Sequence, residues 1–190
     1  MNRRVKTKIC VMASAVLIAW GLKRHYATAG ADDLWWILSP VARLVGVMTQ
    51  TRFALQPGEG YFSRDRLFLI EKSCAGINFM IAAFGMLMVA LLHRVRSRFS
   101  AVRVLSVSLL ASYSAAVLVN AVRIAIAMSL AAHPAAFSAI SAADVHRVEG
   151  IVVYFGGLVL LYELVRRLDR GVIMAGREFS AQARRVEAAP

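Results

Sequence analysis

The chain has 190 residues, of which 59% are hydrophobic and 18% are charged, and lysine and arginine outnumber aspartate and glutamate by 23 to 11. The charged residues lie in short blocks between apolar runs of 14 to 19 residues, which excludes an ordinary soluble domain and indicates a polytopic membrane protein. Because most of the basic excess flanks these runs, membrane topology explains it better than nucleic-acid binding does.

Four apolar runs predict membrane-spanning helices, at residues 9–22, 76–92, 104–122 and 148–165. The first run follows a basic start and precedes Ala27-x-Ala29, as in a secretory signal. However, Lys23, Arg24 and His25 stand between the run and the small residues, where a cleavage site does not tolerate them. We therefore expect an uncleaved first helix.

Two segments between the first and second runs are of another kind. Segment 34–48 has 15 residues, including Pro40 and Arg43, and predicts an interfacial or re-entrant helix; if it spans instead, the orientation argued below is inverted. Residues 51–72 contain the turn signal PGEG and a strand-like RLFLI.

The predicted fold is all-α, a polytopic integral membrane helix bundle with about four to five transmembrane helices and a short extracytoplasmic segment. It forms a single domain over residues 1–175, and residues 176–190 form a polar cytoplasmic tail that is expected to be frayed after Arg177.

The positive-inside rule sets the expected orientation. The N-terminal segment, the loop 93–103 and the tail from residue 166 carry four, four and six of the 23 basic residues, so all three are expected in the cytoplasm. Lys23 and Arg24 are the misfit, since they fall outside. This orientation brings four chemically capable residues to the outer membrane face: Cys74, Asn120, Arg123 and His146.

Cys74 is the candidate nucleophile. It stands at a predicted helix start, with Ser73 as a candidate N-cap, and Gly76 leaves room for a substrate backbone to approach. A helix N-terminus and a nearby cation favour the thiolate, which is the reactive form of cysteine. Glu71 and Lys72 are interpreted as a solvated edge.

The other three residues can complete a covalent mechanism. His146 can serve as a general base or as the imidazolium partner of a thiolate. Arg123 can donate to the oxyanion of a tetrahedral intermediate, and Asn120, one turn earlier on the same helix face, can orient the guanidinium.

Simpler interpretations stay open. Cys74 can be buried filler, as we expect for Cys10, and a disulfide between the two is not expected because they lie at opposite ends of the bilayer. His146 can be an interfacial residue paired with Glu149, and His133 is a rival base. Arg123 is harder to dismiss, since a charge within an apolar run is costly and usually functional.

Three sequence blocks resemble the signature blocks of the exosortase/archaeosortase family: SCAGINF at 73–79, NAVRI at 120–124 and HRVEG at 146–150. The resemblance covers residues 70–165, with the blocks in family order. The short chain and the stretch GYF…SCAGINF resemble most the compact K-type exosortases.

The resemblance implies a membrane-embedded cysteine transpeptidase, with Cys74 as nucleophile, Arg123 as transition-state stabiliser and His146 as the proton-transfer residue. The implied partners are exported proteins whose C-terminal sorting signal has a short motif (often Pro-Glu-Pro), a transmembrane helix and a basic cluster. Cleavage would leave the acyl group bound to Cys74 as a thioester. An acceptor would then take the acyl group. The implied location is the bacterial inner membrane, with the active site on the periplasmic face.

An acidic recognition motif would suit a basic outer surface, and the sequence offers Arg52, Arg64, Arg66 and Lys72 for it. Membrane lipids are the other expected partners, and neither a cofactor nor a metal is expected, because the four scattered histidines offer no ligand spacing. Two other functions stay open. One is a non-enzymatic membrane scaffold, and the other is a lipid- or solute-binding transporter subunit in which Arg123 holds an anion.

Overall fold

The computed structural model describes residues 3–131 and 142–187, with side chains over 3–131 and 147–169. The α-helices of this part are α1 (Arg3–Thr28), α2 (Trp35–Thr49), α3 (Ile77–Leu91), α4 (Arg98–Ala131) and α5 (Ala142–Glu187). The strands are β1 (Ala54–Gln56), β2 (Gly60–Ser63) and β3 (Phe68–Ile70). Single 3₁₀ turns lie at Asp32–Leu34, Lys72–Ala75 and Leu92–Arg94.

Four helices of the described part are long and apolar enough to cross a membrane: Arg3–Thr28, Lys72–Arg94, Arg98–Ala131 and Arg147–Asp169. Each contains one of the four predicted apolar runs, so the prediction of a helical bundle with four candidate spans is confirmed. Large apolar side chains such as Trp20 and Phe155 are exposed on the outside of the bundle, where a lipid environment would cover them.

Helix α2, at 15 residues, is not among these four. Its inner face is fully buried against the bundle, and Trp36 stacks on Tyr113 of α4 with the ring centroids 5.9 Å apart. Pro40 lies inside this helix and cannot donate to the carbonyl of Trp36 four residues earlier. The Tyr113 hydroxyl donates to that carbonyl instead, at 2.8 Å, so α4 satisfies the group that the proline leaves open.

The prediction of an all-α fold is wrong in one respect, because the segment between α2 and α3 forms an antiparallel sheet with the strand order β1-β2-β3. The predicted turn is present: Glu59 N donates to Gln56 O at 3.1 Å, and Gly58 has φ 80°. The predicted strand in RLFLI is β3. The carboxylate of Asp32 accepts from Gly58 N at 2.9 and 3.0 Å, which ties the hairpin tip to the start of α2.

The other end of the bundle is held by Asp169 of α5. Its carboxylate pairs with the guanidinium of Arg94 and lies 3.2 Å from His93 Nε2, which fastens the end of α3 to α5. Beyond this point α5 continues as a helix to Glu187, which includes residues of the tail that is expected to fray after Arg177. The composition agrees with a helix, since alanine, arginine, glutamine and glutamate dominate this tail and are good helix formers.

Candidate active site

Cys74 lies in the 3₁₀ turn Lys72–Ala75, before α3 and not within it. Its backbone N–H donates to Glu71 O at 2.9 Å. Helix α3 starts after Gly76, which is its N-cap, so the prediction of Ser73 as N-cap is wrong. The Ser73 hydroxyl donates to Glu71 Oε1 at 2.6 Å and lies 3.8 Å from Cys74 Sγ. Ser73 therefore contacts the thiol directly.

Gly76 is the hinge between this turn and α3. Its backbone lies in the left-handed region, with φ 69° and ψ 16°, which favours glycine. A Cβ at this position would also lie 3.1 to 3.3 Å from side-chain atoms of Asn120. Glycine thus provides both the turn and the close approach of α4 to the cysteine.

Asn120 connects α4 to the cysteine turn. Its side chain is fully buried, and Nδ2 donates to the backbone carbonyl of Cys74. At its other end Oδ1 accepts from the Tyr154 hydroxyl at 2.8 Å. We expected Asn120 to orient Arg123 directly. It holds the cysteine turn instead and connects to Arg123 through Tyr154.

Arg123 is 13% exposed, and residues of α5 contact it. Its Nη1 donates to the Tyr154 hydroxyl at 3.3 Å, and the guanidinium carbon lies 5.2 Å from the centroid of that ring. Its Nε lies 3.8 Å from Oε2 of Glu149, which is 6% exposed. Glu149, considered above as a partner of His146, therefore faces Arg123.

Gly150 makes room for this arrangement. A Cβ there would lie 3.2 Å from Arg123 Nε, so the glycine of the block HRVEG leaves space for the guanidinium. His146 lies on α5 four residues earlier, about one helical turn away, and its side chain is outside the described part of the structure. The rival base His133 also lies outside the described residues.

A cavity of about 410 Å³ lies beside these groups. Its lining comes from α1, the Cys74 turn, α3, α4 and α5, and includes Tyr26, Ser73, Asn78, Arg123, Arg147 and Tyr154. Helix α1 is fastened there by Lys23, whose Nζ donates to Asn78 Oδ1 at 2.7 Å. The ammonium groups of Lys23 and Lys72 lie 5.8 and 5.2 Å from the Tyr26 ring centroid. Lys72, interpreted above as a solvated edge, therefore holds the cysteine turn against α1.

Sequence reasoning missed Tyr154 and the contact of Glu149 with Arg123, and it had a signal for both. A charge within an apolar helix needs a partner of opposite charge or a polar side chain on a neighbouring helix. The last apolar run and its first turn supply few such groups, and Glu149 and Tyr154 are among them.

Removing the Tyr154 hydroxyl is expected to disturb both Asn120 and Arg123. Tyr154→Phe keeps the ring packed on Phe79, where the centroids lie 5.3 Å apart, but it leaves the Asn120 amide oxygen without this donor. We expect turnover to fall about fivefold, since a buried hydrogen bond contributes about 1 kcal/mol, with little change in KM. Phe155→Tyr on the exposed face is the matched control. An equal loss in both variants would contradict a positioning role.

No protein-family model matches this chain, and no curated protein and no solved structure is similar to it.

Both cysteines are free thiols, with Cys10 exposed on α1 and Cys74 half-buried.

Proposed function

We propose that this chain is a membrane-embedded cysteine peptidase or transpeptidase whose chemistry resembles that of the exosortase/archaeosortase family. One observation supports this most strongly. A hydrogen-bonded chain runs from the Cys74 carbonyl through Asn120 and Tyr154 to Arg123, beside a cavity of about 410 Å³. A scaffold has no need to join a thiol-bearing turn to a buried guanidinium at the wall of a cavity.

In the proposed reaction the Cys74 thiolate attacks a peptide carbonyl carbon and forms a tetrahedral intermediate. Negative charge develops on the former carbonyl oxygen, and Arg123 stabilises it. The C–N bond then breaks, the departing amine takes a proton from His146, and a thioester remains on Cys74. An acceptor amine or water attacks the thioester carbon and gives its proton to His146, and the C–S bond breaks, which frees the thiolate and restores the protonated imidazole for the next cycle.

The other residues of the site hold the cysteine turn and the guanidinium in place. Asn120 fixes the carbonyl of the cysteine turn, and Glu149 together with Tyr154 fixes the guanidinium. Burying a guanidinium within a membrane helix costs less free energy when a carboxylate lies nearby than when its charge is uncompensated. Preorganised groups of this kind do not need to reorient when charge develops in the transition state.

The proposed substrates are exported proteins that end in a short recognition motif, one transmembrane helix and a basic cluster. The four candidate spans agree with a multi-pass membrane protein, and the proposed location is the bacterial inner membrane with the cavity on the periplasmic face. A substrate anchored by its own helix would present its scissile bond just outside the membrane, at the depth expected for Cys74.

The experiment is to trap the thioester. The full chain would be co-expressed with an exported protein of the same organism that carries such a C-terminal signal, and Cys74 peptides would be analysed by mass spectrometry. We expect an acyl adduct on Cys74 that neutral hydroxylamine removes. Cys10→Ala is the matched control and should retain the adduct, whereas Cys74→Ala should lose it together with cleavage. Normal cleavage by Cys74→Ala would overturn the proposal in favour of a scaffold.

A further inference from the structure

The hairpin formed by β1 and β2 carries a surface that the proposed chemistry does not use. Within the described part of the chain β1 pairs only with β2, and all three β1 residues are exposed. In an antiparallel pair, alternate residues direct their N–H and C=O groups away from the partner strand. The outer edge of β1 therefore offers main-chain donors and acceptors to another strand.

Two arginines flank the hairpin, Arg52 before β1 and Arg64 after β2. Arg52 and Arg64 are both exposed, and both line a cavity of about 710 Å³ together with β1 and Phe62 of β2. Ala54 pairs with Phe62, and Arg52 and Arg64 each lie two residues beyond this pair, where the strand pairing has ended. Like charges that line one cavity repel each other. Asp65 is the only carboxylate that lines the cavity, so a positive charge remains there.

We infer that this surface binds an extended, acidic polypeptide segment, which adds to β1 as a further strand and sets a carboxylate between Arg52 and Arg64. Strand addition supplies main-chain hydrogen bonds, and the neighbouring side chains supply the specificity. A guanidinium binds a carboxylate through two parallel hydrogen bonds, and the second arginine relieves its repulsion from the first.

The bound segment is within reach of the nucleophile. Strand β3 of the same sheet ends at Ile70, four residues before Cys74. A strand added beyond β1 lies three strand spacings from β3, about 14 Å, and the four residues from Ile70 to Cys74 add at most about 14 Å more. About eight extended residues can cross this distance. That this segment belongs to the polypeptide being cleaved rests on the proposed function, whereas the binding surface itself does not.

The four basic residues considered above for an acidic motif do not act together. Arg66 lines a different cavity, with residues from the ends of α2 and α4, and Lys72 packs on Tyr26. Only Arg52 and Arg64 share the hairpin cavity. Arg66 is exposed in the same connection and is therefore a matched control for the loss of one charge.

The test is a binding measurement on the full chain in lipid nanodiscs. The probe is a fluorescein-labelled peptide of alternating threonine and valine with one central glutamate, followed by anisotropy. Arg52→Gln and Arg64→Gln should each raise Kd about tenfold, equivalent to about 1.4 kcal/mol, and Arg66→Gln should change it less than twofold. A glutamine at the centre of the probe should weaken binding as much, with no further loss in Arg52→Gln.

The main-chain contribution is tested by methylating the backbone nitrogens of the probe one at a time. Strand addition predicts weaker binding at alternate positions only, because every second N–H faces the protein. Equal binding of the glutamate and glutamine probes, an equal effect of Arg66→Gln, or no binding overturns the inference. Cys74→Ala should bind the probe normally and lose cleavage. Normal binding together with normal cleavage in this variant would count against the proposed chemistry and not against this surface.

Discussion

Arg123→Gln is expected to lower kcat/KM for a reporter substrate by a factor of about 10² to 10³. Loss of one donor to a developing oxyanion costs this much in enzymes that form tetrahedral intermediates. The guanidinium is nearly buried at the wall of the cavity, so water cannot replace it easily. The rate would be measured as release of the reporter's C-terminal fragment in reconstituted vesicles, at matched amounts of membrane-inserted protein.

Lysine at the same position separates the effect of Arg123 on folding from its effect on activity. Arg123→Lys keeps a positive charge near Glu149 and should restore the yield of folded protein, but a point charge cannot contact Tyr154 and the substrate oxygen in the same way. We expect it to recover no more than about a tenth of wild-type activity. Activity of Arg123→Gln within threefold of wild type would exclude Arg123 from the chemistry.

Gly76→Ala is expected to lower the free energy of unfolding by about 2 to 4 kcal/mol and to abolish most activity. A left-handed backbone costs a residue with a Cβ about 1 to 2 kcal/mol, and overpacking adds about as much or more, here against Asn120 at 3.1 Å. Relief of that overlap moves either the cysteine turn or the amide that holds it. Reversible unfolding in mixed detergent micelles measures the loss.

Gly156→Ala is the control for this change. Gly156 lies inside α5, and a Cβ there would have nothing within 4 Å, so alanine should be neutral or stabilise the helix by up to about 1 kcal/mol. If both substitutions were equally harmless, the turn at Gly76 would not be as constrained as its dihedral angles indicate. Thiol labelling of Cys74 in both variants would show whether the turn has moved.

The sequence predicts the helices of this protein well because their signals are local. Each apolar run lies inside one helix, and the turn PGEG and the strand in RLFLI follow from residues next to each other in the chain. Helix ends are predicted less well, since α4 extends from Arg98 to Ala131 although its apolar run covers only 104–122. Arg98, Ser100 and Arg103 at its start and Arg123 near its end interrupt the apolar pattern, but they are compatible with a continuous helix.

The site is predicted only in part, because its contacts depend on how helices far apart in sequence are rotated about their axes. The sequence alone singles out Cys74, Asn120 and Arg123, by their charge or by their position in an apolar run. In the sequence, Tyr154 is one more aromatic residue in an apolar run. Only the structure shows that its hydroxyl contacts α4. In the sequence, Lys23 is a basic residue that does not fit the positive-inside rule. Its contact with Asn78 could not be predicted because it joins residues 55 positions apart.

The cavity beside Cys74 has a wall from the first helix and another from the last, through Tyr26 and Tyr154. During synthesis the cysteine therefore emerges long before its surroundings exist. Until α5 has been synthesised, Arg123 lacks Glu149 and Tyr154, and the cavity lacks one of its walls. If Cys74 acts as proposed, the order of elements along the chain delays its chemistry until the whole bundle has assembled.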